Sequence, residues 1–433
     1  MKIQFFNKIK ISPLLRNIFI YAFSDGITKA LPFLVFPIVA YYLSAEDFGR
    51  VNNFQVFLGI LAPFIGLSTS AYFSVDYYKK GQNPKMIYNQ IMYFTVFLFL
   101  LVSIVVLLSI NQISKWSGLS IFWILIALLT SFFMPFKSMF LAKLRVEEKA
   151  KFFGVFNFFN VLLSSLLVVL FVVLLKYNWQ GRIWSIVITG IFFGIISIFY
   201  GKKFIGSLQK IDLDYWKKFL WFGLPLLPHT LALWIKTAFA KIFITDSLGL
   251  AENGVYSFAI SFSAIFLFFT AAFFSAFSPY IYKRLSFDCS SDEMVAIKKD
   301  IVRKIYYFLL FYIAILILGY FVLYFIINQF FLVKYGESLS YLPYLLGYNF
   351  FNAVYISLSM FIYYHKKTKY LGILTILTAL LNVILLVLFI PYFGTIGAPI
   401  STFIVSILTA ILIYFYSVKV FPMPWQFYKL IKN

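Results

Sequence analysis

Residues 17–50 read NIFIYAFSDGITKALPFLVFPIVAYYLSAEDFGR, a long apolar run followed by a short acidic turn that contains Gly49. The apolar part, from Asn17 to Leu43, is about 27 residues long. At about 1.5 Å per residue, a helix of this length crosses a bilayer core of roughly 30 Å with some tilt. We therefore predict a transmembrane helix at this position.

Two charged residues, Asp25 and Lys29, lie inside that apolar run. Because they are four residues apart, a helix places them on one face, where each can neutralise the other. One interpretation is a structural ion pair. The other is a water-filled path in which Lys29 binds a charged substrate and Asp25 couples transport to an ion. The sequence leaves both open.

The composition extends the membrane prediction to the whole chain. Of the 433 residues, 62% are hydrophobic, 22% aromatic and only 12% charged, whereas charged residues make up about 25% of a soluble domain. The net charge of +22 comes from Lys and Arg between apolar spans, a pattern that sets membrane topology. We therefore predict membrane lipids as partners and no nucleic-acid partner.

Twelve apolar spans follow one another along the sequence, and lipid permits only helices there because it cannot satisfy open backbone groups. The predicted fold is an all-α polytopic membrane protein with twelve transmembrane helices. The spans lie at about 17–43, 51–74, 86–110, 117–142, 152–176, 181–200, 218–245, 255–282, 302–328, 338–364, 369–391 and 395–418.

The loop charges predict the orientation. With these twelve spans, 28 of the 37 Lys and Arg residues fall on the side that holds both termini, and five fall on the other. Since short basic loops stay in the cytoplasm, we predict that both termini are cytoplasmic.

The two halves of the sequence repeat. Gly49 and Gly254 each follow an acidic residue two positions earlier and open the next span, and the loop at 177–181 resembles the loop at 393–397. A six-span repeat predicts two parallel, pseudo-symmetric lobes around a central cavity. The predicted divisions are an N-terminal six-helix lobe at 1–200, a cytoplasmic connector at 201–217 and a C-terminal six-helix lobe at 218–433.

The seventh span carries two lysines, Lys236 and Lys241. An unpaired lysine at such depth costs about 2.5–3.5 kcal/mol on insertion scales, so it needs a partner or water. Lys29 in the first span lies at a depth similar to that of Lys236. The two interpretations are a cationic lumen that binds an anionic substrate and separate structural pairs.

Uncharged polar residues form stripes on other spans. Thr375, Thr378 and Asn382 share one helical face, as do Asn157, Asn160 and Ser164, and interhelical hydrogen bonds are one explanation. The alternative is a lining that contacts sugar hydroxyls, together with Asn and Tyr residues of the tenth span. The predicted substrate-binding residues on this basis are Asn352, Tyr355 and Asn382.

The sequence contains no G-x-x-x-x-G-K-[ST] loop, no H-E-x-x-H and no Cys/His cluster. We therefore predict no cofactor, no metal site and no catalytic residue, and we interpret the chain as a transporter. Two alternatives are a drug or small-molecule exporter, which favours acidic cavity residues, and a membrane-embedded glycan polymerase or acyltransferase, which usually has a long outer loop.

Several short segments are similar to the polysaccharide-repeat flippases, the Wzx-type family of O-antigen transporters. They occur in the order typical of that family and span nearly the whole chain. They are Tyr42–Gly49, Leu144–Lys151, Glu252–Tyr256 and Asn382 followed by Ile390–Pro399.

The resemblance implies membership of the multidrug/oligosaccharidyl-lipid/polysaccharide (MOP) exporter superfamily. It also implies translocation of undecaprenyl-pyrophosphate-linked oligosaccharide repeat units to the outer face of the inner membrane by alternating access. A polymerase and a chain-length regulator of the same pathway are implied as possible partners. In this interpretation Lys29, Lys236 and Lys241 bind the pyrophosphate.

Overall fold

A computed structural model describes residues 13–79, 83–207, 209–286, 290–365, 367 and 369–426, and this part of the chain is helical without strands. Within its helices, the side chains of residues 13–25, 29, 229, 233, 236, 237, 275, 276 and 279 lie outside the description.

Helices form most of each of the first six predicted spans. The second span is bent by 44° between α2 and α3, where Leu67 and Ser68 have positive φ angles of 39° and 53°. The fifth span ends in one wider turn at Val169–Leu174. The helices are α1 (Pro13–Tyr42), α2 (Ala45–Gly66), α3 (Thr69–Asp76), α4 (Pro84–Leu108), α5 (Ile110–Ser117), α6 (Ile121–Val146), α7 (Ala150–Val168) and α8 (Asn178–Ile205).

The last six predicted spans are also helical. The seventh is interrupted near its start by a tight turn at Leu224–Leu226, where Pro225 cannot donate a backbone hydrogen bond. The helices are α9 (Leu213–Gly223), α10 (Leu227–Leu248), α11 (Leu250–Leu285), α12 (Ser291–Phe330), α13 (Leu332–Tyr335), α14 (Ser338–Tyr364), α15 (Lys369–Phe393) and α16 (Gly397–Val420).

Length and apolar composition support membrane crossing. Eight helical stretches in the described part of the chain meet both criteria, and counting the bent pair α2 and α3 makes nine. One of the eight, Lys369–Val420, contains two of the predicted spans.

The chain packs as two compact units. One consists of the chain up to Tyr42 with Phe57–Ile113 and Ser120–Leu227, and the other of Leu43–Val56, Ser114–Leu119 and the chain from Pro228 onward. We call them unit 1 and unit 2. The lobe boundaries at 200/201 and 217/218 remain predictions.

Each unit has its own apolar core. In unit 1, Phe73, Tyr88 and Phe94 pack with Phe219 of α9, so α9 is part of this core. In unit 2, a cluster that includes Ala240, Tyr256 and Leu386 joins α10, α11 and α15.

The repeated glycines have equivalent environments within unit 2. A Cβ atom on Gly49 would overlap the carbonyl oxygen of Leu250, and one on Gly254 would overlap the carbonyl oxygen of Ala45. Each glycine therefore meets the backbone four residues before the other glycine. This reciprocal crossing, at the first turns of α2 and α11, supports the internal repeat inferred from the sequence.

We predict that Gly254→Ala destabilises the protein by about 1–3 kcal/mol, the usual range for overpacking a tight contact. Gly372→Ala is the matched control, because a Cβ on Gly372 meets nothing within 4 Å and alanine favours a helix. The thermal unfolding midpoint in detergent should fall for Gly254→Ala only. Equal midpoints for the two variants would refute the close crossing.

A cluster of charged side chains lies at the loop after α6 in unit 1. The Glu147 carboxylate binds the Lys143 ammonium at 2.8 Å and the Lys149 ammonium at 2.9 Å. Burial alone would raise the pKa of Glu147, but the hydrogen bonds and charges of the two lysines outweigh it and lower the pKa. Glu147 and Lys149 belong to the segment Leu144–Lys151, and Lys143 directly precedes it. That segment carries part of the family resemblance.

We predict that Glu147→Gln lowers stability at pH 7 by about 1–3 kcal/mol, because it leaves a buried ammonium poorly paired. The pKa of Glu147 is lower in the folded state than in the unfolded chain. The stability that the ionised carboxylate adds is therefore fully present above the unfolded pKa of about 4.3, and it is lost as the pH falls through the folded pKa. Unfolding midpoints of wild type and variant should therefore converge in acid. The exposed neighbour substitution Glu148→Gln is the control, and an equal loss there would contradict the assignment.

Candidate substrate site

The structure describes the side chains of only some of the charged residues that the sequence predicted to function in transport. Asp25 and Lys29 belong to α1, and Lys236 belongs to α10. Their side chains lie outside the described residues, so their roles remain predictions. Lys241 is the predicted cation whose environment the structure describes.

Lys241 lies in unit 2, near the end of α10, and its side chain is half-buried. Its ammonium donates a hydrogen bond of 2.9 Å to the side-chain oxygen of Asn52 on α2. The Asn52 amide in turn donates to the carbonyl oxygen of Phe48. The described hydrogen-bond partner of Lys241 is thus an uncharged amide.

A buried polar network lies on the neighbouring turn of the same helices. The Asn53 amide nitrogen donates to the Ser117 carbonyl at 2.7 Å and to the Thr245 hydroxyl at 2.8 Å. The Asn253 amide nitrogen donates to the Asn53 side-chain oxygen at 2.7 Å, and the Ser257 hydroxyl donates to Asn253. The network links α2, α5, α10 and α11 beside the glycine crossing.

The network contains no acidic side chain. Across the described residues, no carboxylate lies within ion-pair distance of Lys241. Its positive charge is therefore offset by neutral dipoles alone in this part of the chain. A site of this kind is chemically suited to an anion, because a cation in a low-dielectric region attracts negative charge strongly.

A second feature of unit 2 is a cavity of about 250 Å³ between α14, α15 and α16. It brings together Asn352, Tyr355 and Asn382, the three uncharged residues predicted to bind substrate. We call it the three-helix cavity. The described residues that line it are Tyr348, Phe351, Asn352, Tyr355, Leu374, Thr375, Thr378, Asn382, Thr402, Val405, Ser406 and Thr409.

The stripe on α15 has a local explanation. Thr375 and Thr378 donate hydrogen bonds to carbonyls of their own helix, at Leu371 and Leu374. In the described part of the chain, these two hydroxyl donors are therefore used within α15 and not between helices. Both residues line the three-helix cavity.

The stripe on α7 in unit 1 behaves differently. The Lys137 ammonium of α6 donates to the Asn160 side-chain oxygen of α7 at 3.2 Å. For Asn160, the interpretation as an interhelical bond is confirmed.

The sequence analysis did not identify the wall of the cavity that α16 forms, and it did not identify Asn52 as the partner of Lys241. Thr402, Ser406 and Thr409 of α16 line the cavity at spacings of four and three residues, a helical stripe that the sequence displays. Asn52 and Asn53 stand in the repeated segment, but no sequence periodicity connects either of them to α10.

Comparison with known proteins agrees with this architecture. Residues 14–284, more than half of the chain, match the family described as "Polysaccharide biosynthesis protein". Two proteins of Haemophilus influenzae are similar over most of their length. An "Uncharacterized membrane protein" is 23% identical over 408 residues, covering 89% of this chain and 94% of its own. The "Lsg locus putative protein 1" is 24% identical over 412 residues, covering 89% and 96%.

Solved structures show the same fold. The lipid II flippase MurJ in an inward closed conformation has a TM-score of 0.67 and 17% identity, covering 95% of this chain and 89% of that chain. An inward-facing multidrug resistance MATE family transporter of the MOP superfamily has a TM-score of 0.64 and 16% identity, covering 90% and 94%.

The apolar helices and the shared fold define a multi-pass, all-α membrane protein, and the predicted fold with twelve membrane helices in two lobes is confirmed. The chain belongs to the polysaccharide biosynthesis protein family, whose model matches more than half of its residues. This match confirms the family that the sequence resemblance predicted.

Proposed function

We propose that this protein is a flippase that moves undecaprenyl-pyrophosphate-linked oligosaccharide repeat units from the cytoplasmic to the outer face of the bacterial inner membrane. Both termini lie in the cytoplasm in this proposal. Its proposed protein partners are a polymerase and a chain-length regulator, which act on the same glycan.

The observation that carries the proposal is the environment of Lys241. This lysine lies on a predicted membrane-spanning helix, and its described hydrogen-bond partner is the neutral amide of Asn52. Keeping a lysine in such a place is costly, so it points to a functional role. A pyrophosphate provides the counter-charge that this part of the structure lacks.

In the proposed mechanism, Lys241 binds the pyrophosphate, and Lys29 and Lys236 are further proposed pyrophosphate-binding lysines. Lysine suits this role because its ammonium is a compact point charge with three donors. The lipid tail stays in the bilayer while the sugars move through the protein.

The membrane potential can supply direction. Moving about two negative charges outward through a cytoplasm-negative potential of about 100 mV releases roughly 4–5 kcal/mol. Asp25 is the proposed group for any additional proton or sodium coupling.

The described residues favour a glycan carrier over an exporter of cationic drugs. Such exporters need acidic groups at their binding cavity, and the described lining of the three-helix cavity contains none. We propose translocation, before polymerisation, as the step at which the protein acts.

We predict that Lys241→Gln reduces glycan export at least tenfold, because the pyrophosphate loses a charge-assisted contact worth about 1.5–3 kcal/mol. Export is measured in a deletion strain complemented with each variant, by quantifying lipid-linked repeat units on each leaflet. Units should accumulate on the cytoplasmic face.

The control is Lys115→Gln, which removes the same charge from an exposed site and should export normally. Two results count against the proposal. One is normal export by Lys241→Gln. The other is a deletion strain whose repeat units reach the outer face but stay unpolymerised, which would place the protein after translocation.

A further inference from the structure

We propose that the three-helix cavity binds one uncharged sugar residue of the transported glycan and excludes acidic sugars. This inference rests on the proposed function and adds a substrate class to it. It separates recognition of the sugar, between α14, α15 and α16, from binding of the pyrophosphate at Lys241.

The described lining of the cavity carries no charge, because all twelve of its residues are uncharged. Among the described side chains of the lining, a uronate or a phosphate would meet no cation, and burying an unpaired carboxylate is strongly unfavourable. The cavity therefore favours neutral polar ligands over anions.

The directions of the hydrogen bonds in the lining also favour a neutral polar ligand. Five hydroxyls of the lining donate to carbonyls of their own helices, so their oxygen lone pairs are left to accept hydrogen bonds. They are Thr375, Thr378, Thr402, Ser406 and Thr409. One of them, the Thr402 hydroxyl, also bonds to the Tyr256 side chain. A ligand that donates many hydrogen bonds satisfies such a surface, and sugar hydroxyls do so without carrying charge.

Two amides complete the polar set. Asn382 is 2% exposed, and Asn352 lines the same cavity. Within the described residues, no hydrogen bond involves either side-chain amide. Each amide offers both donors and an acceptor, which matches the paired donor and acceptor character of vicinal sugar hydroxyls. A buried polar side chain without a protein partner marks a place where a ligand or water binds.

Aromatic rings provide the apolar contact that a sugar ring needs. Tyr348, Phe351 and Tyr355 lie on one side of α14 at spacings of three and four residues, and all three line the cavity. The faces of their rings can pack against the C–H face of a pyranose. This combination of aromatic surface and a few placed polar groups is typical of small-molecule sites.

Size and depth define the ligand further. The volume of about 250 Å³ lies below the roughly 300–1,000 Å³ of sites for drug-sized ligands, so it suits one sugar residue rather than an oligosaccharide. The lining residues fall in the middle of α14, α15 and α16. Transporters bind their substrates near this depth.

The test measures sugar binding to the full-length purified protein in detergent by saturation-transfer NMR. The probes are methyl glycosides of neutral hexoses and N-acetylhexosamines, the corresponding uronic acid glycosides, and the lipophilic cation tetraphenylphosphonium. We expect binding of at least one neutral glycoside and at least tenfold weaker binding of its acidic counterpart.

Three variants locate the binding. Asn382→Leu and Asn352→Leu keep the side-chain volume nearly constant while removing the amide, and each should weaken neutral-sugar binding at least fivefold. Tyr355→Leu should do the same by removing a ring. Tyr363→Leu is the matched control, because Tyr363 lies on the same helix, is 52% exposed and does not line the cavity.

Several outcomes would overturn the inference: no binding of any neutral glycoside, equal binding of the acidic glycosides, binding of the lipophilic cation alone, or equal losses in Tyr355→Leu and Tyr363→Leu. Failure here is distinguishable from failure of the proposed function. If Lys241→Gln blocks export but no neutral sugar binds, the flippase stands without this sugar site. If neutral sugars bind through the cavity while Lys241→Gln exports normally, the sugar site stands and the role of Lys241 in pyrophosphate binding fails.

Discussion

The bilayer core supplies no water, so every polar group within it needs a partner from the protein or the substrate. This constraint explains the helical architecture and the treatment of the side chains. Hydroxyls such as Thr375 and Thr409 donate to their own helices, and Asn53 and Asn253 bond to one another. Polar groups of unit 2 that are not satisfied in this way include the Lys241 charge and the amides of the three-helix cavity.

These two features suit the two chemically different parts of a lipid-linked glycan. A pyrophosphate is small and anionic, and it calls for fixed positive charge. A sugar residue is neutral and rich in hydroxyls, and it calls for hydrogen-bond acceptors and ring faces. Lys241 and the three-helix cavity differ in the same way. Placing the two functions at separate positions would let a carrier retain the pyrophosphate contact while the sugar cavity determines which glycan it accepts.

The sequence predicted the fold well because hydropathy and loop charge report directly on membrane crossing, and all twelve predicted spans are helical. Asn352, Tyr355 and Asn382, which the sequence predicted to bind substrate, line one cavity, and their role in binding remains a prediction. The sequence did not identify the wall formed by α16 or the bond between Lys241 and Asn52, since helix periodicity shows which residues share a face but not which helices meet. Likewise, Gly49 and Gly254 were recognised as a repeat, and only coordinates show that each contacts the segment before the other.

The central claim is that this protein carries lipid-linked glycan across a membrane. The most direct measurement uses proteoliposomes that contain the purified protein and lipid-linked repeat units from the source organism, with a glycosidase added outside to report units that reach the outer leaflet. The account predicts protein-dependent movement that is faster with an outside-positive potential and at least tenfold slower with Lys241→Gln. Movement no faster than in protein-free vesicles under either potential would contradict it.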